Sequence, residues 1–67
     1  MLRDQTSLGD ILNAARLVQE GVTGFDKQTL AADWIRLSAV IRQIEVIGEA
    51  SRRLSKEFRQ AHPEIPW

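Results

Sequence analysis

Residues 30–58 read LAADWIRLSAVIRQIEVIGEASRRLSKEF. Within them Leu30, Trp34, Leu37, Val40, Ile41, Ile44, Ile47, Leu54 and Phe58 recur mostly at three- and four-residue steps, the period of one face of an amphipathic helix. Asp26 is placed to cap this helix, with Phe25 and Leu30 positioned as a hydrophobic staple. Its end falls near Ala61, because His62 precedes Pro63 and is biased away from helical geometry. At 1.5 Å per residue the helix would span roughly 50 Å. Asp33 interrupts the stripe between Leu30 and Leu37, and a kink or break is favoured there over a buried carboxylate, since an unpaired buried charge is costly. A second, narrower apolar line, Ile35, Ala39, Val46 and Ala50, runs along the far side at steps of four, seven and four. One antiparallel neighbour cannot cover both lines.

Working outward toward the N-terminus, Leu8, Ile11, Leu12, Ala15 and Val18 define the apolar face of an earlier helix, started by a cap at Asp4 or Thr6 and stopped at Gly21. The short connection Gly21-Val22-Thr23-Gly24 turns the chain, and a link of this length joins antiparallel neighbours. The expected fold is therefore all-α: one domain over residues 1–67, built as an antiparallel helical hairpin. So small a hairpin buries too little apolar surface to stand alone, which predicts self-association into a helical bundle.

Composition narrows the function classes. The 67 residues are 43% hydrophobic, carry nine basic and nine acidic side chains, and include no cysteine. Disulfides, thiolate metal sites and cysteine nucleophiles are excluded together. No charge-free run approaches the roughly 18–20 apolar residues of a bilayer span, and Met1-Leu2-Arg3-Asp4 does not read as a signal peptide, so the expected compartment is the cytoplasm. Net charge is zero, yet Arg52, Arg53, Lys56 and Arg59 make the C-terminal third mildly basic. That cluster is a candidate polyanion contact; the plainer reading is that cations gather where a helix C-terminus favours them. Past it, His62-Pro63-Glu64-Ile65-Pro66-Trp67 has an extended character, and Trp67 needs a surface to pack on.

No phosphate-cradling glycine loop, metal-ligand pair or nucleophile triad can be assembled from these residues, so neither a cofactor nor a metal is expected. Gly48, in mid-helix on the main stripe, costs about 1 kcal/mol relative to alanine and is expected to let another backbone come close. Glu49 is expected to pair with Arg53 on a solvated face rather than to act in catalysis. His62, the single histidine, reads as an exposed loop residue rather than a general base.

The order of residues is nonetheless specific. The run Ala39-Val40-Ile41-Arg42-Gln43-Ile44-Glu45-Val46-Ile47-Gly48-Glu49-Ala50, then Arg53-Leu54-Ser55 and His62-Pro63-Glu64-Ile65-Pro66-Trp67, closely resembles the HepT-like family of HEPN-domain proteins. Leu2-Arg3-Asp4 and Ile11-Leu12 fit the same pattern, so the resemblance spans essentially the whole chain. It departs at Gln43, where asparagine is common, and at Ser51, where alanine is common. The resemblance implies a small helical protein that dimerises, acts as a ribonuclease toxin and is neutralised by a minimal nucleotidyltransferase. The family's catalytic motif, an arginine and a histidine with four to six residues between them and often a tyrosine soon after, belongs beyond the Pro-Trp. This chain has no tyrosine, and the positions five, six and seven residues before His62 are Glu57, Lys56 and Ser55.

The resulting expectation is half of a HEPN-type bundle: a truncated relative of a HepT-like toxin subunit that keeps its association surfaces and lacks the ribonuclease site. A self-associating structural module, or the N-terminal fragment of an intact HEPN ribonuclease, are the alternatives. The expected interface is Trp34, Leu37, Ile41, Ile44 and Ile47 in one buried layer, Ile35, Ala39 and Val46 facing a different helix, and Phe58, Ile65 and Trp67 at the far end. Expected partners are a second copy, a full-length HepT-like subunit or the nucleotidyltransferase, with RNA bound weakly at most.

Overall fold

The computed structural model describes residues 2–66 and contains four helices in order: α1 (Leu2–Val22), α2 (Lys27–Ala32), α3 (Trp34–Arg52) and α4 (Lys56–Ala61). No strand occurs among the described residues. The two long helices, α1 and α3, pack together as an antiparallel hairpin, as the sequence predicts. The body measures 42 × 22 × 16 Å with a radius of gyration of 14.2 Å, against about 11 Å for a compact chain of this length. It is a rod, with little interior.

The turn follows its residue chemistry. Gly24 takes a positive φ of 81°, which glycine adopts without the Cβ clash other residues meet. Thr23 donates both its N–H and its hydroxyl to the Gln19 carbonyl, closing the end of α1. Asp26 caps α2: it accepts from the Thr29 amide at 2.8 Å while Thr29 Oγ1 accepts from the Asp26 amide at 2.9 Å. These hydrogen bonds, from the Thr29 backbone first and its side chain second, lower the Asp26 carboxyl below its ordinary pKa.

The long second helix is broken twice. At Asp33 the break falls where the stripe is interrupted: Asp33 ends α2 and caps α3, accepting from the Arg36 amide at 3.0 Å, with the Arg36 guanidinium 3.6 Å from its other oxygen. The second break, at Arg53–Ser55, is a correction to the continuous helix expected through residue 61. Ser55 starts α4, its hydroxyl accepting from the Phe58 amide at 3.1 Å. Asp4 meets the chain at this break. Its carboxylate accepts from the Ser55 amide at 2.8 Å and from the Ser55 hydroxyl at 2.7 Å. Asp4 therefore does not cap α1; the helix already runs through Asp4 and Thr6, and Asp4 ties its first turn to the start of α4. The Ser55 backbone hydrogen bond, and then the hydroxyl one, hold the Asp4 carboxyl below its usual pKa.

The hairpin seam is also not the one the large residues suggest. On α1 the inward side runs Asp4, Ser7, Ile11, Ala14, Val18 and Gly21, and Asp4, Ser7 and Ala14 are buried. Ser7, Ala14 and Gly21 repeat every seven residues, so a line of small side chains faces α3. A Cβ at Gly21 would lie 2.9 Å from Val40 Cγ2, inside the roughly 3.5–4.0 Å of ordinary carbon contact. On α3 the buried residues are Val40 and Ala50, with Leu54 buried just beyond the helix. Ala50, expected on the far line, is fully enclosed at 0% exposure. Small residues on both arms let the backbones approach closely and leave the larger apolar residues at the sides.

Candidate association surface

The apolar residues displaced from the seam form two flanks. On one side of α3 stand Trp34, Ile41 and Ile44, which are 72%, 48% and 54% exposed, with Leu37 half-buried between them. The expectation that Trp34, Ile41 and Ile44 lie in a buried layer does not hold within the single chain; of that set only Leu37 and Ile47 are half-buried. Their angular position explains this, because Val40 and Ala50 occupy the arc that faces α1 and the Trp34 stripe lies roughly a quarter-turn round the helix. On α1, Leu8 and Leu12 are exposed too and, by the same helical geometry, border this flank.

The opposite flank is a groove. Leu17 and Gly21 of α1 face Ile35, Arg36, Ala39 and Gln43 of α3 across an open volume of about 340 Å³. Ile35 is 66% exposed and Ala39 exposed, while Val46 is half-buried. Arg36 gives the groove its polar end, donating from Nη1 to the Gly21 carbonyl at 3.2 Å and lying 4.4 Å over the Phe25 ring. The guanidinium thus answers one of the open carbonyls of the C-terminal turn of α1. The arc bearing Ser38, Arg42, Glu45 and Glu49 is the exposed polar face of α3. Arg42 and Glu49 stand 3.8 Å apart there, replacing the expected Glu49–Arg53 pair, because Arg53 reaches across to Asp10 at 3.0 Å.

The basic cluster is partly occupied by local bonding. Besides the Arg53–Asp10 pair, Arg59 donates from Nη2 to the Arg52 carbonyl at 2.8 Å, supporting the last turn of α3 as a cation at a helix C-terminus does. Arg52 and Lys56 are exposed. His62 is not simply an exposed loop residue: it ends α4, is half-buried, stacks 4.6 Å from the Phe58 ring and contacts Glu64 at 3.1 Å. The Glu64 carboxyl is lowered by its own backbone amide first and by His62 second. The tail is turned rather than extended, for the Ile65 amide donates to the His62 carbonyl at 3.2 Å with Pro63 in the position a β-turn favours for proline. Ile65 is 42% exposed. Trp67 lies outside the described residues.

Sequence reasoning missed the Asp4–Ser55 clip and the small-residue seam. The seven-residue spacing of Ser7, Ala14 and Gly21 was the available signal for the seam; nothing local in the sequence joins Asp4 to Ser55. Among the described residues no group of three or more histidine, aspartate or glutamate side chains is arranged to hold a metal, and no helix is long and apolar enough to cross a membrane.

Fold and surface together define an all-α helical hairpin with a tight seam and exposed apolar flanks. The profile of the ribonuclease HepT-like family matches residues 11–67, and the chain belongs to that family. It is 40% identical over 60 residues to "Probable ribonuclease HepT" of Thermococcus cleftensis, covering 90% of this chain and 54% of the relative. A "putative RNase" of Caldanaerobacter subterraneus subsp. tengcongensis is 37% identical over the same length, with 90% and 54% covered. One from Methanocaldococcus jannaschii is 40% identical, with 90% and 55% covered. The chain spans about half the length of the curated relatives it matches. No solved structure matches it.

Proposed function

We propose that this chain acts in a HepT-like ribonuclease system as an association element, an all-helical piece of a toxin subunit that supplies binding surfaces rather than the RNA-cleaving groups. The observation that carries the reading is the displacement of Trp34, Ile35, Ile41 and Ile44 to the outside of a hairpin whose seam is already filled. Apolar side chains in such number on a 67-residue rod lose stabilisation to water unless another helix covers them. The reading of the site itself rests on chemistry. RNA cleavage by a histidine and an arginine needs both within reach of one phosphodiester, the histidine moving a proton at the ribose hydroxyl and the arginine meeting charge on the phosphate. Here His62 is turned to Phe58 and Glu64, and no arginine stands at the family spacing before it.

The proposed partners are a full-length HepT-like subunit and the cognate minimal nucleotidyltransferase, so that the chain serves as a decoy or an assembly regulator in a toxin–antitoxin pair. Co-purification with the neighbouring gene product tests this. A stoichiometric complex that survives about 0.5 M salt, where charge screening is nearly complete, is expected; a complex that dissolves there indicates only polyanion-type attraction through Arg52, Arg53, Lys56 and Arg59. The chain alone is expected not to cleave RNA, and cleavage abolished by His62→Ala refutes the assignment. Homo-oligomers with no partner under the same conditions favour the second reading, a purely structural self-associating module, for which the filled seam is equally suited.

A further inference from the structure

Helix propensity does not place the break between α3 and α4. α3 runs unbroken through Gly48, the poorest helix former it contains. Contrary to the sequence expectation, no neighbouring backbone comes close there; a Cβ at Gly48 would meet nothing nearer than Arg52 Nη1 at 3.8 Å. The helix stops instead at Arg53-Leu54-Ser55, where arginine and leucine rank among the better helix formers. The joint is also nearly helical. The Arg53 and Leu54 amides donate to the Ala50 and Ser51 carbonyls at 3.1 and 3.3 Å, one residue tighter than in an α-helix, and the Arg59 amide donates to the Ser55 carbonyl at 3.1 Å, as it would in a continuous one. Arg53 lies in the helical region at φ −83° and ψ −9°. Ser55 departs in ψ alone: its φ of −65° is helical and its ψ of 155° is extended.

Side chains stand in for helix bonds lost at this joint. The Ser55 amide, which a continuous helix would direct to the Ser51 carbonyl, goes to Asp4 Oδ1 at 2.8 Å. The Arg52 carbonyl, which would take the Lys56 amide, accepts from Arg59 Nη2 at 2.8 Å. The Phe58 amide, which would reach the Leu54 carbonyl, goes to Ser55 Oγ at 3.1 Å. Arg59 and Ser55 belong to the bent segment itself, whereas Asp4 reaches in from another helix. We infer that Arg53–Ser55 is a two-state joint, bent while Asp4 holds Ser55 and folded into one helix from Trp34 to Ala61 when that hold is released. The straight state sacrifices little packing. Val40, Ile47 and Leu54 are seven residues apart, so Leu54 stays on the side of the helix that faces α1, and α4 has no buried residue to uncover. A released Asp4 keeps its place in the first turn of α1, where the helix dipole favours a carboxylate. What changes is reach and direction. A single helix of roughly 42 Å replaces one of roughly 28 Å, and Lys56, Arg59 and His62 ride on its end. A group that claims the Asp4 carboxylate, or that replaces the Ser55 hydroxyl hydrogen, re-aims that end of the rod.

The test reads the joint by NMR in whole chains labelled with carbon-13 and nitrogen-15. In the unaltered chain Ser55 is expected to show the Cα and Cβ chemical shifts of an extended residue. In Asp4→Ala these shifts are expected to move to helical values, and contacts between the α-proton of one residue and the amide four residues on are expected to appear from Arg52 to Lys56 and from Leu54 to Phe58. The Ser55 amide should stay slow to exchange, because the Ser51 carbonyl takes the place of Asp4. Ser55→Ala removes the hydroxyl that Asp4 holds together with the cap of α4 and is expected to give the same helical contacts, so the inference is tested even if Asp4→Ala fails to fold. Extended shifts that persist at Ser55 in Asp4→Ala overturn the inference. So do random-coil shifts across residues 53–61 with rapid exchange of the residue 55 amide, the signature of fraying rather than straightening. Loss of the α1–α3 hairpin in both variants also overturns it, because the straight state then has no folded chain in which to occur.

Discussion

Gly21→Ala is the sharpest test of the small-residue seam. In most helices this substitution stabilises by up to about 1 kcal/mol through propensity, and Gly21 has no positive φ to set against that gain. Here the new methyl would lie 2.9 Å from Val40 Cγ2. Val40 is buried and β-branched, so its χ1 is held by the helix and the methyl cannot swing clear. Overpacking of this kind costs about 1–3 kcal/mol. The net expectation is a loss of about 1 kcal/mol, which in urea moves the midpoint down by roughly 1 M for a chain whose slope lies near the low end for small proteins. Far-UV ellipticity against urea, at one fixed chain concentration because association couples to stability, gives the measurement. Val40→Ala alone should cost about 1.5 kcal/mol, from two buried methyls. Combined with Gly21→Ala it should cost about 1–2 kcal/mol less than the two single losses added together, because the collision is gone. A midpoint raised by Gly21→Ala would show that the arms do not meet as described.

Leu54→Ala removes the largest buried side chain beside the α3–α4 break and is expected to cost about 2–5 kcal/mol, enough to abolish the cooperative urea transition of so small a hairpin. Gly24→Ala forces a Cβ into the φ of 81° and should cost about 1–2 kcal/mol, whereas Gly9→Ala, where a Cβ meets nothing within 4 Å, should stabilise by up to about 1 kcal/mol; urea midpoints moving in the same direction for both would refute the turn geometry. The Asp4 carboxyl is lowered in the folded chain, so its contribution is fully present above the unfolded aspartate value of about 3.9 and is lost as pH falls through the lower folded value. Asp4→Asn should therefore lower stability at pH 7 and flatten the decline below about pH 4, read from thermal unfolding at a series of pH values; an unchanged acid slope would contradict the clip.

The hairpin and its turn were legible because their signals are local. Gly24, Asp26 and Asp33 act on neighbours within a few residues, and each does what its chemistry predicts. The packing face was harder to read because hydrophobic periodicity weights residues by apolarity, and the seam selects for smallness instead. Ser7 and Gly21 hardly register on such a scale, while Leu12 and Trp34 register strongly and stand outside. That Trp34, Ile35, Ile41 and Ile44 stand outside the seam follows from α3 carrying more apolar surface than one neighbour can cover. The second break was illegible from α3 itself. Arg53-Leu54-Ser55 has neither proline nor glycine; its one local mark is the capping serine, and the carboxylate that also holds Ser55 lies 51 residues away at Asp4.

That distance orders events in time. The polar ties between the arms climb outward from the turn: Arg36 to Gly21 across 15 positions, Arg53 to Asp10 across 43, Ser55 to Asp4 across 51. Each wider tie closes a loop already shortened by the one inside it, so its entropic cost falls on an almost completed chain. Loop-closure entropy makes Asp4 and Ser55 the contact expected to form last and open first. A change at either should leave the rate of folding nearly untouched and speed unfolding by nearly the full factor by which it lowers the equilibrium constant, so the clip governs how long the hairpin stays closed.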